Sequence, residues 1–194
     1  MPKLHVVDGS GYIFRAYWAI RNLTNPRGEP VNAIHGFANM LEKLLRDETP
    51  SHLCLVFDAD AHTFRSDLHP EYKANRSPPP EDLIAQVPRI HEVADAFGIR
   101  RFVVDGVEAD DVIATLTRMG REAGFEVRLI SGDKDLMQLV GDGVTLFEPM
   151  KGELFDAAGV EKKLGVPPHQ VRDLLTLAGD SSDNIPGVKG VGVR

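Results

Sequence analysis

The chain has 194 residues, 42% of them hydrophobic, with a single cysteine, Cys54, and a net charge of −7. That length and apolar content suffice for one buried core with at most a small appendage. A lone cysteine inside an apolar run excludes a disulfide framework within the chain and fits a reducing, cytoplasmic setting.

Leu4 to Val7 reads as a strand ending at Asp8, reached within a few residues of the start, and no long apolar stretch exists. Neither a signal peptide nor a membrane span is expected. The pattern then turns helical, with Tyr12, Ile13, Phe14, Tyr17, Trp18 and Ile20 on roughly one side. Asn22 to Pro30 is a loop, and Ala33 to Arg46 a helix with Phe37, Met40, Leu41, Leu44 and Leu45 inward. A second strand, Leu53 to Phe57, ends at Asp58. Residues 59–80 are poor in apolar side chains, interleave basic and aromatic residues, and close on Ser77-Pro78-Pro79-Pro80; loops this long are functional or disordered. Helical patterning resumes from Glu81 to Phe97, with Pro88 as a kink or boundary. A strand at Phe102–Val104, a helix at Ala109–Ala123, a strand at Val127–Ile130 and a short helix at Lys134–Val140 follow. Val144 to Phe147 is another strand, Lys151-Gly152 a hairpin turn, and Val160–Leu164 and Pro168–Ala178 are helical. Alternating strands and helices predict an α/β fold, a mainly parallel central sheet with helices on both faces.

The acids fall in a pattern. Two strands stop on Asp8 and Asp58, a third leads to Glu108, Asp110 and Asp111, a fourth to Asp133 and Asp135, and a late loop carries Asp180 and Asp183. Parallel strands place these ends on one edge of the sheet, where α/β folds build their sites. Like charges about 4 Å apart repel by about 4 kcal/mol at an effective dielectric near 20, so the cluster calls for cations. Oxygen-only ligands point to Mg²⁺ or Mn²⁺. Taken singly, Glu108-Ala109-Asp110-Asp111 serves equally as a helix cap, and Asp133-Lys134-Asp135 as turn chemistry with Lys134 balancing its neighbours. Recurrence at one edge favours a shared metal site. Setting those nine acids aside leaves 20 of the 29 against 22 bases, so the acidic sum does not exclude a nucleic-acid partner. In the segment from Phe64-Arg65 to Arg76, Lys and Arg suit a phosphate and Tyr72 a base, though an ordinary solvated loop fits as well. Ile185 to Gly192 is a Gly-rich turn that suits either close approach to phosphate or a plain tail. The seven histidines show no metal-ligand spacing.

Together these motifs carry a resemblance. V-D-G-S from Val7, V-F-D ending at Asp58, F-R at 64–65, Y-K-x-x-R from Tyr72, G-V-E-A-D-D from Gly106, S-G-D-K-D from Ser131 and G-D-S-S-D-N-I-P-G-V-x-G-V-G from Gly179 are similar to the 5′-nuclease domain of bacterial DNA polymerase I, within the flap endonuclease family. The resemblance implies the PIN-like 5′-nuclease fold and a structure-specific 5′-3′ exonuclease or flap endonuclease acting in DNA replication and repair. It implies two Mg²⁺ or Mn²⁺ ions, one held by Asp8, Asp58, Glu108 and Asp110, the other by Asp111, Asp133, Asp135, Asp180 and Asp183, some through water. Tyr72, Lys73 and Arg76 match the helical arch under or through which a 5′ strand passes, and Arg15 a basic position near the scissile phosphate. Gly187, Lys189, Gly190 and Gly192 match a helix–three-turn–helix element that grips duplex DNA.

On this resemblance residues 1–155 form an α/β nuclease core, including a mobile arch segment at about 60–80. Residues 156–194 form a helical region with an incomplete helix–three-turn–helix, because the chain stops at Arg194 where the family supplies the second helix. The expected partners are DNA with 5′ flaps or 5′ ends and a polymerase domain beyond residue 194, with no membrane and a monomeric, nucleoid-associated protein. Weak duplex binding and reduced activity are expected of this length of chain. A PIN-like ribonuclease and a silent nucleic-acid-binding module are the rival readings; neither accounts for both the arch-like segment and the complete set of acids.

Overall fold

The computed structural model describes residues 1–59 and 62–192. In chain order the elements are β1 (Lys3–Asp8), α1 (Gly9–Ala19), α2 (Asn32–Glu48), β2 (His52–Asp58), α3 (Phe64–Leu68), α4 (Glu81–Ile84), α5 (Val87–Ala96), β3 (Arg100–Val104), α6 (Ala109–Glu122), β4 (Glu126–Ile130), β5 (Val144–Glu148), β6 (Glu153–Phe155), α7 (Ala157–Leu164) and α8 (Val171–Ala178), with short 3₁₀ turns at Asp135–Leu139 and Pro168–Gln170. One six-stranded sheet has the order β3-β2-β1-β4-β5-β6. Its first five strands are parallel, and β6 returns antiparallel to β5 through the hairpin at Lys151-Gly152. No helix among the described residues is long and apolar enough to cross a membrane.

Alternation along each strand divides the core into two layers. Val7, Leu55, Phe57 and Ile130 pack against Tyr12, Phe37, Leu41 and Ile90 from α1, α2 and α5. Val6, Val56, Leu129 and Leu146 pack against Ile113, Met137, Val160 and Val171 on the opposite face. Val160 and Val171 are buried in that same cluster, so the helices after Asp156 share a core with the sheet.

Strand order reverses between β1 and β4, which opens a crevice at their C-terminal ends. Register decides what faces it. Asp8 pairs with Val56 and Val7 with Ile130, so Asp8, Asp58 and Ser131 all lie on the side of Val6, Val56 and Leu129, the side that α6 covers. The 81–97 helical pattern divides into α4 and α5, with Pro88 in the first turn of α5, where its missing N–H is not needed. The start of α2 has no side-chain cap of its own; instead buried Gln86 accepts from the Ala33 and Ile34 N–H groups at 2.9 and 3.3 Å and donates to Asn32 Oδ1 at 3.0 Å.

In the arch-like segment, residues 60 and 61 lie outside the described residues. From residue 62 the chain forms α3 and a series of turns folded down on the acidic edge. The Lys73 N–H donates to the Asp183 carbonyl at 2.9 Å, and Asn75 and Asn184 tie the segment to the 180–184 loop through the Ser181 and Glu71 carbonyls at 2.8 and 2.7 Å. Of the aromatic residues on α1, Tyr12 is buried, whereas Phe14 and Trp18 stand 46% and 59% exposed.

Candidate active site

Each carboxylate is set by the element it terminates. Asp8 caps α1, accepting from the Gly11 N–H at 2.7 Å, while its other oxygen accepts from the Ser131 hydroxyl at 2.8 Å, which joins the ends of β1 and β4. Asp58 accepts from the Ala109 N–H at 2.8 Å, and its own N–H is held by the Ser10 hydroxyl at 2.9 Å, so the end of β2 fixes the start of α6. In the turn after β4, Ser131 accepts from the Asp133 N–H at 3.0 Å and Asp133 accepts from the Asp135 N–H at 2.8 Å. A cleft of about 200 Å³ results, lined by Asp8, Asp58, Glu108, Asp110, Asp133, Asp135, Asp180 and Asp183 together with Lys73, Arg76 and Lys134. Eight of the nine acids singled out from the sequence meet there.

Asp111 turns away. One position along a helix rotates a side chain by about 100°, so Asp110 and Asp111 point in different directions. Both oxygens of Asp111 receive the Arg65 guanidinium, at 2.6 and 2.8 Å, and one also accepts from the Glu108 N–H at 3.0 Å. That pairing holds its carboxyl below the usual range. Arg65, expected with the other bases of the segment to suit a phosphate, instead holds Asp111, a pairing the sequence did not suggest.

The remaining cations lie on the carboxylates. Lys73 Nζ donates to Glu108 at 2.8 Å and sits 4.0 Å from Asp183, while the Tyr72 hydroxyl donates to Glu108 at 3.0 Å and Asp183 at 3.1 Å. Arg76 pairs with Asp183, and Lys134 approaches Asp180 at 3.1 Å. Lys73 takes a left-handed φ of 56°, an uncommon conformation for a long side chain. Three cations do not neutralise eight acids, and the excess is visible. Burial, and then Asp133, Asp8 and Asp58, push the Asp110 carboxyl up to about 8. Burial, Asp133 and Asp180 raise Asp135 to about 6, and one Asp135 oxygen is enclosed without a partner. Burial would raise buried Asp180 too, but the Ser182 hydroxyl and N–H and the Lys134 ammonium outweigh it and leave its pKa lowered.

Among the described residues no three acidic, histidine or cysteine side chains close around a common point as a preformed ion cage. The donor set nevertheless fits hard divalent cations: oxygen only, in excess negative charge, with an enclosed unpartnered carboxylate oxygen.

A second cleft of about 610 Å³ lies on the other side of Glu108, Asp110, Asp135 and Asp183, between α3 and its following turns, α6 and the 3₁₀ turn after Lys134; it adds Arg65, His69, Tyr72, Arg172 and apolar Leu68, Leu136, Leu139 and Ile185. Arg15 lies with its guanidinium against Gly132. Gly187 has a packing role, since a side chain there would strike the Ala178 backbone, and the Gly-rich turn is drawn back over α8 by the Val188 N–H donating to the Leu177 carbonyl at 2.8 Å. Lys189, Gly190 and Gly192 are exposed.

A mainly parallel sheet with an acid-lined crevice at its strand-order reversal puts the candidate site where α/β folds build theirs. The chain belongs to the family of the 5′-3′ exonuclease N-terminal, resolvase-like domain, whose family model matches residues 3–165. It is 48% identical over 199 residues to DNA polymerase I of Rhizobium leguminosarum, covering 98% of this chain and 20% of that protein. It is 43% identical over 194 residues to the 5′-3′ exonuclease of Aquifex aeolicus, covering 100% of this chain and 67% of that protein. Among solved structures, the bacteriophage T5 flap endonuclease in a pseudo-enzyme-product complex with DNA and metal ions superposes with a TM-score of 0.77 at 26% identity, over 98% of this chain and 71% of that one. The chain thus spans about a fifth of the length of the polymerase relatives it matches.

Proposed function

We propose that this domain hydrolyses DNA phosphodiesters at 5′ ends and 5′ flaps with two Mg²⁺ or Mn²⁺ ions, and that it does so joined to a polymerase domain on chromosomal DNA. The observation that carries the proposal is the cleft whose described lining holds eight carboxyl groups and three cations, an excess of five formal charges, with Arg65 beyond the lining 3.8 Å from Glu108 but paired with Asp111. Two divalent ions bring four, close to what the site lacks. Asp8, Asp58, Glu108 and Asp110 would hold one ion and Asp133, Asp135, Asp180 and Asp183 the other, while Asp111 acts indirectly by fixing Arg65 and the start of α6. When bound, such a pair supplies Lewis-acid stabilisation of the attacking and leaving oxygens of an in-line displacement.

The protein's own groups do the rest. Lys73 and Arg76, whose charge the carboxylates no longer need once ions are present, are placed to neutralise the reacting phosphate. Arg15 offers a two-pronged donor to a phosphate oxygen. Tyr72 and half-exposed Phe14 at the cleft lip offer aromatic faces to bases. The second cleft, with Arg65 and Arg172 over an apolar floor, suits passage of a single strand beneath the 64–76 segment. Exposed Lys189 and the backbone at Gly190 and Gly192 suit duplex phosphates.

A 5′-labelled flap assay with Mg²⁺ and with chelator tests the reading, alongside an all-RNA flap. Metal-dependent release of the 5′ segment from DNA, abolished by Asp133→Ala, is the expected result. Cleavage that survives chelator or Asp133→Ala overturns it, and preference for RNA would transfer the activity to a ribonuclease.

A further inference from the structure

We propose that Gly132 is a positioning residue for Arg15 and, through it, for a substrate phosphate; this rests on the nuclease reading above. Arg15 follows Asp8 by seven residues, close to two helical turns, and so projects from the face of α1 that looks onto the crevice. Its guanidinium crosses Gly132, in the turn between Ser131 and Asp133. A Cβ at 132 would lie 2.6 Å from Arg15 Cζ and 3.0 Å from Nη1, and nearer still to Nη2. Those three atoms are the nearest to that Cβ, so the closest obstacle to a methyl group at this position is the end of a side chain. Gly132 is also absent from the residues with positive φ, so its backbone does not demand glycine. What the missing side chain provides is the space the guanidinium fills.

The guanidinium has a further property. Its Nη1 is closed off from solvent and has no acceptor among the described residues. The protein thus leaves the guanidinium charge unpaired at a covered nitrogen, which is costly, and the ligand that matches an unpaired guanidinium is an oxyanion, which would meet its other nitrogens. Ser131 holds Asp8 and Asp133 lines the cleft, so an oxyanion on Arg15 lies at the edge of the metal site, as a phosphate of the strand being cut would. Gly132 sets how deeply Arg15 sits, and with it where that phosphate rests.

The test is a four-variant cycle of wild type, Arg15→Ala, Gly132→Ala and the double variant. It is read as cleavage of a 5′-phosphorylated flap in Mg²⁺ and as binding of the same flap in Ca²⁺, with melting temperature in chelator and in Mn²⁺ as controls. Gly132→Ala should fold with a melting temperature within about 2 °C of wild type, because only the movable end of a side chain is in the way. It should keep the Mn²⁺-induced rise that reports the carboxylates. It should lower kcat by roughly tenfold or more, in the manner of Arg15→Ala, and the double variant should be no worse than Arg15→Ala alone. With Arg15→Lys, whose slimmer head fits beside a methyl group, adding Gly132→Ala should cost less than it does with arginine. Unchanged kcat in Gly132→Ala, a double variant in which the two losses multiply, loss of the Mn²⁺ rise, or failure to fold would each overturn the proposal. Wild type that binds the flap without cutting it sinks the nuclease reading alone, and the cycle is then decided by binding; wild type that does neither sinks both.

Discussion

Replacing Asp110 by asparagine should stabilise the metal-free protein while destroying its use of metal. Asp110 opens α6 with its carboxyl pushed up to about 8 by burial and by Asp133, Asp8 and Asp58, against an ordinary 3.8. The sign follows from linkage. A carboxyl that holds its proton more tightly when folded opposes folding once the unfolded chain has ionised, so the penalty is absent below 3.8, grows as pH rises, and is complete above about 8. At about 1.4 kcal/mol per unit, the penalty near neutral pH is of order 4 kcal/mol, and screening and relaxation bring the recoverable part to about 1–3 kcal/mol. Asparagine keeps the shape and removes the charge. In a domain of this size each kcal/mol moves the melting temperature by about 2–4 °C, so a rise of several degrees is expected in chelator at neutral pH.

Calorimetry in chelator at about pH 5 and about pH 8.5 measures the effect, because the difference between Asp110→Asn and wild type should widen with pH. In Mn²⁺ the order should reverse, since wild type gains stability from bound ion and the variant gains less. A variant no more stable than wild type at the higher pH, or a difference that does not change with pH, would refute the electrostatic account of the cleft.

Lys73→Ala and Arg76→Ala should each lower cleavage at least tenfold, and in chelator should speed amide exchange across residues 62–76; Mn²⁺ added to wild type should also speed exchange there, because ions displace the same cations. Gln86→Ala strips the cap from α2 and should cost about 1–3 kcal/mol in urea unfolding with an unchanged slope. Among the described residues, buried His5 has only Glu48 within ion-pair distance of its ring, Nε2 lying 3.5 Å from a carboxylate that also pairs with Arg128; burial outweighs Glu48 and lowers its pKa below 6.5, so protonation favours the unfolded chain. Stability should therefore fall as pH drops below about 6.5, and His5→Asn should remove that part of the acid sensitivity, as titration of the melting temperature will show.

Much of the site is legible in the order of residues because strand periodicity and parallel pairing are strong constraints. Asp8 and Asp58 each end an apolar run, and a parallel sheet leaves those ends no place but one edge. The two turns of helix from Asp8 to Arg15 are as readable. What cannot be read is which way neighbouring acids divide once two elements compete for them. The Glu108-Ala109-Asp110-Asp111 run presents acids around a helix start; helical rotation separates Asp110 from Asp111, and Arg65 on α3, more than forty residues earlier, is what holds Asp111 outside the cleft. Gln86 is equally invisible, because a glutamine inside a helical pattern says nothing about the N-terminus of another helix that it caps.

The same reasoning explains how the 64–76 segment can be rich in basic residues and yet fold onto the sheet edge. Without metal the cleft holds more negative charge than it can keep ionised, and Lys73, Arg76 and Lys134 are the nearest cations. Each pairing relieves repulsion but is incomplete, and burial together with Asp133, Asp8 and Asp58 still pushes the Asp110 carboxyl up to about 8. A divalent ion among the carboxylates would concentrate more charge in less volume than any ammonium or guanidinium, and so would compete with the bases for the acids. On the proposed function, the carboxylates that would bind metal and the bases that would bind phosphate are one balanced set, and filling the acidic half would make the basic half available to DNA.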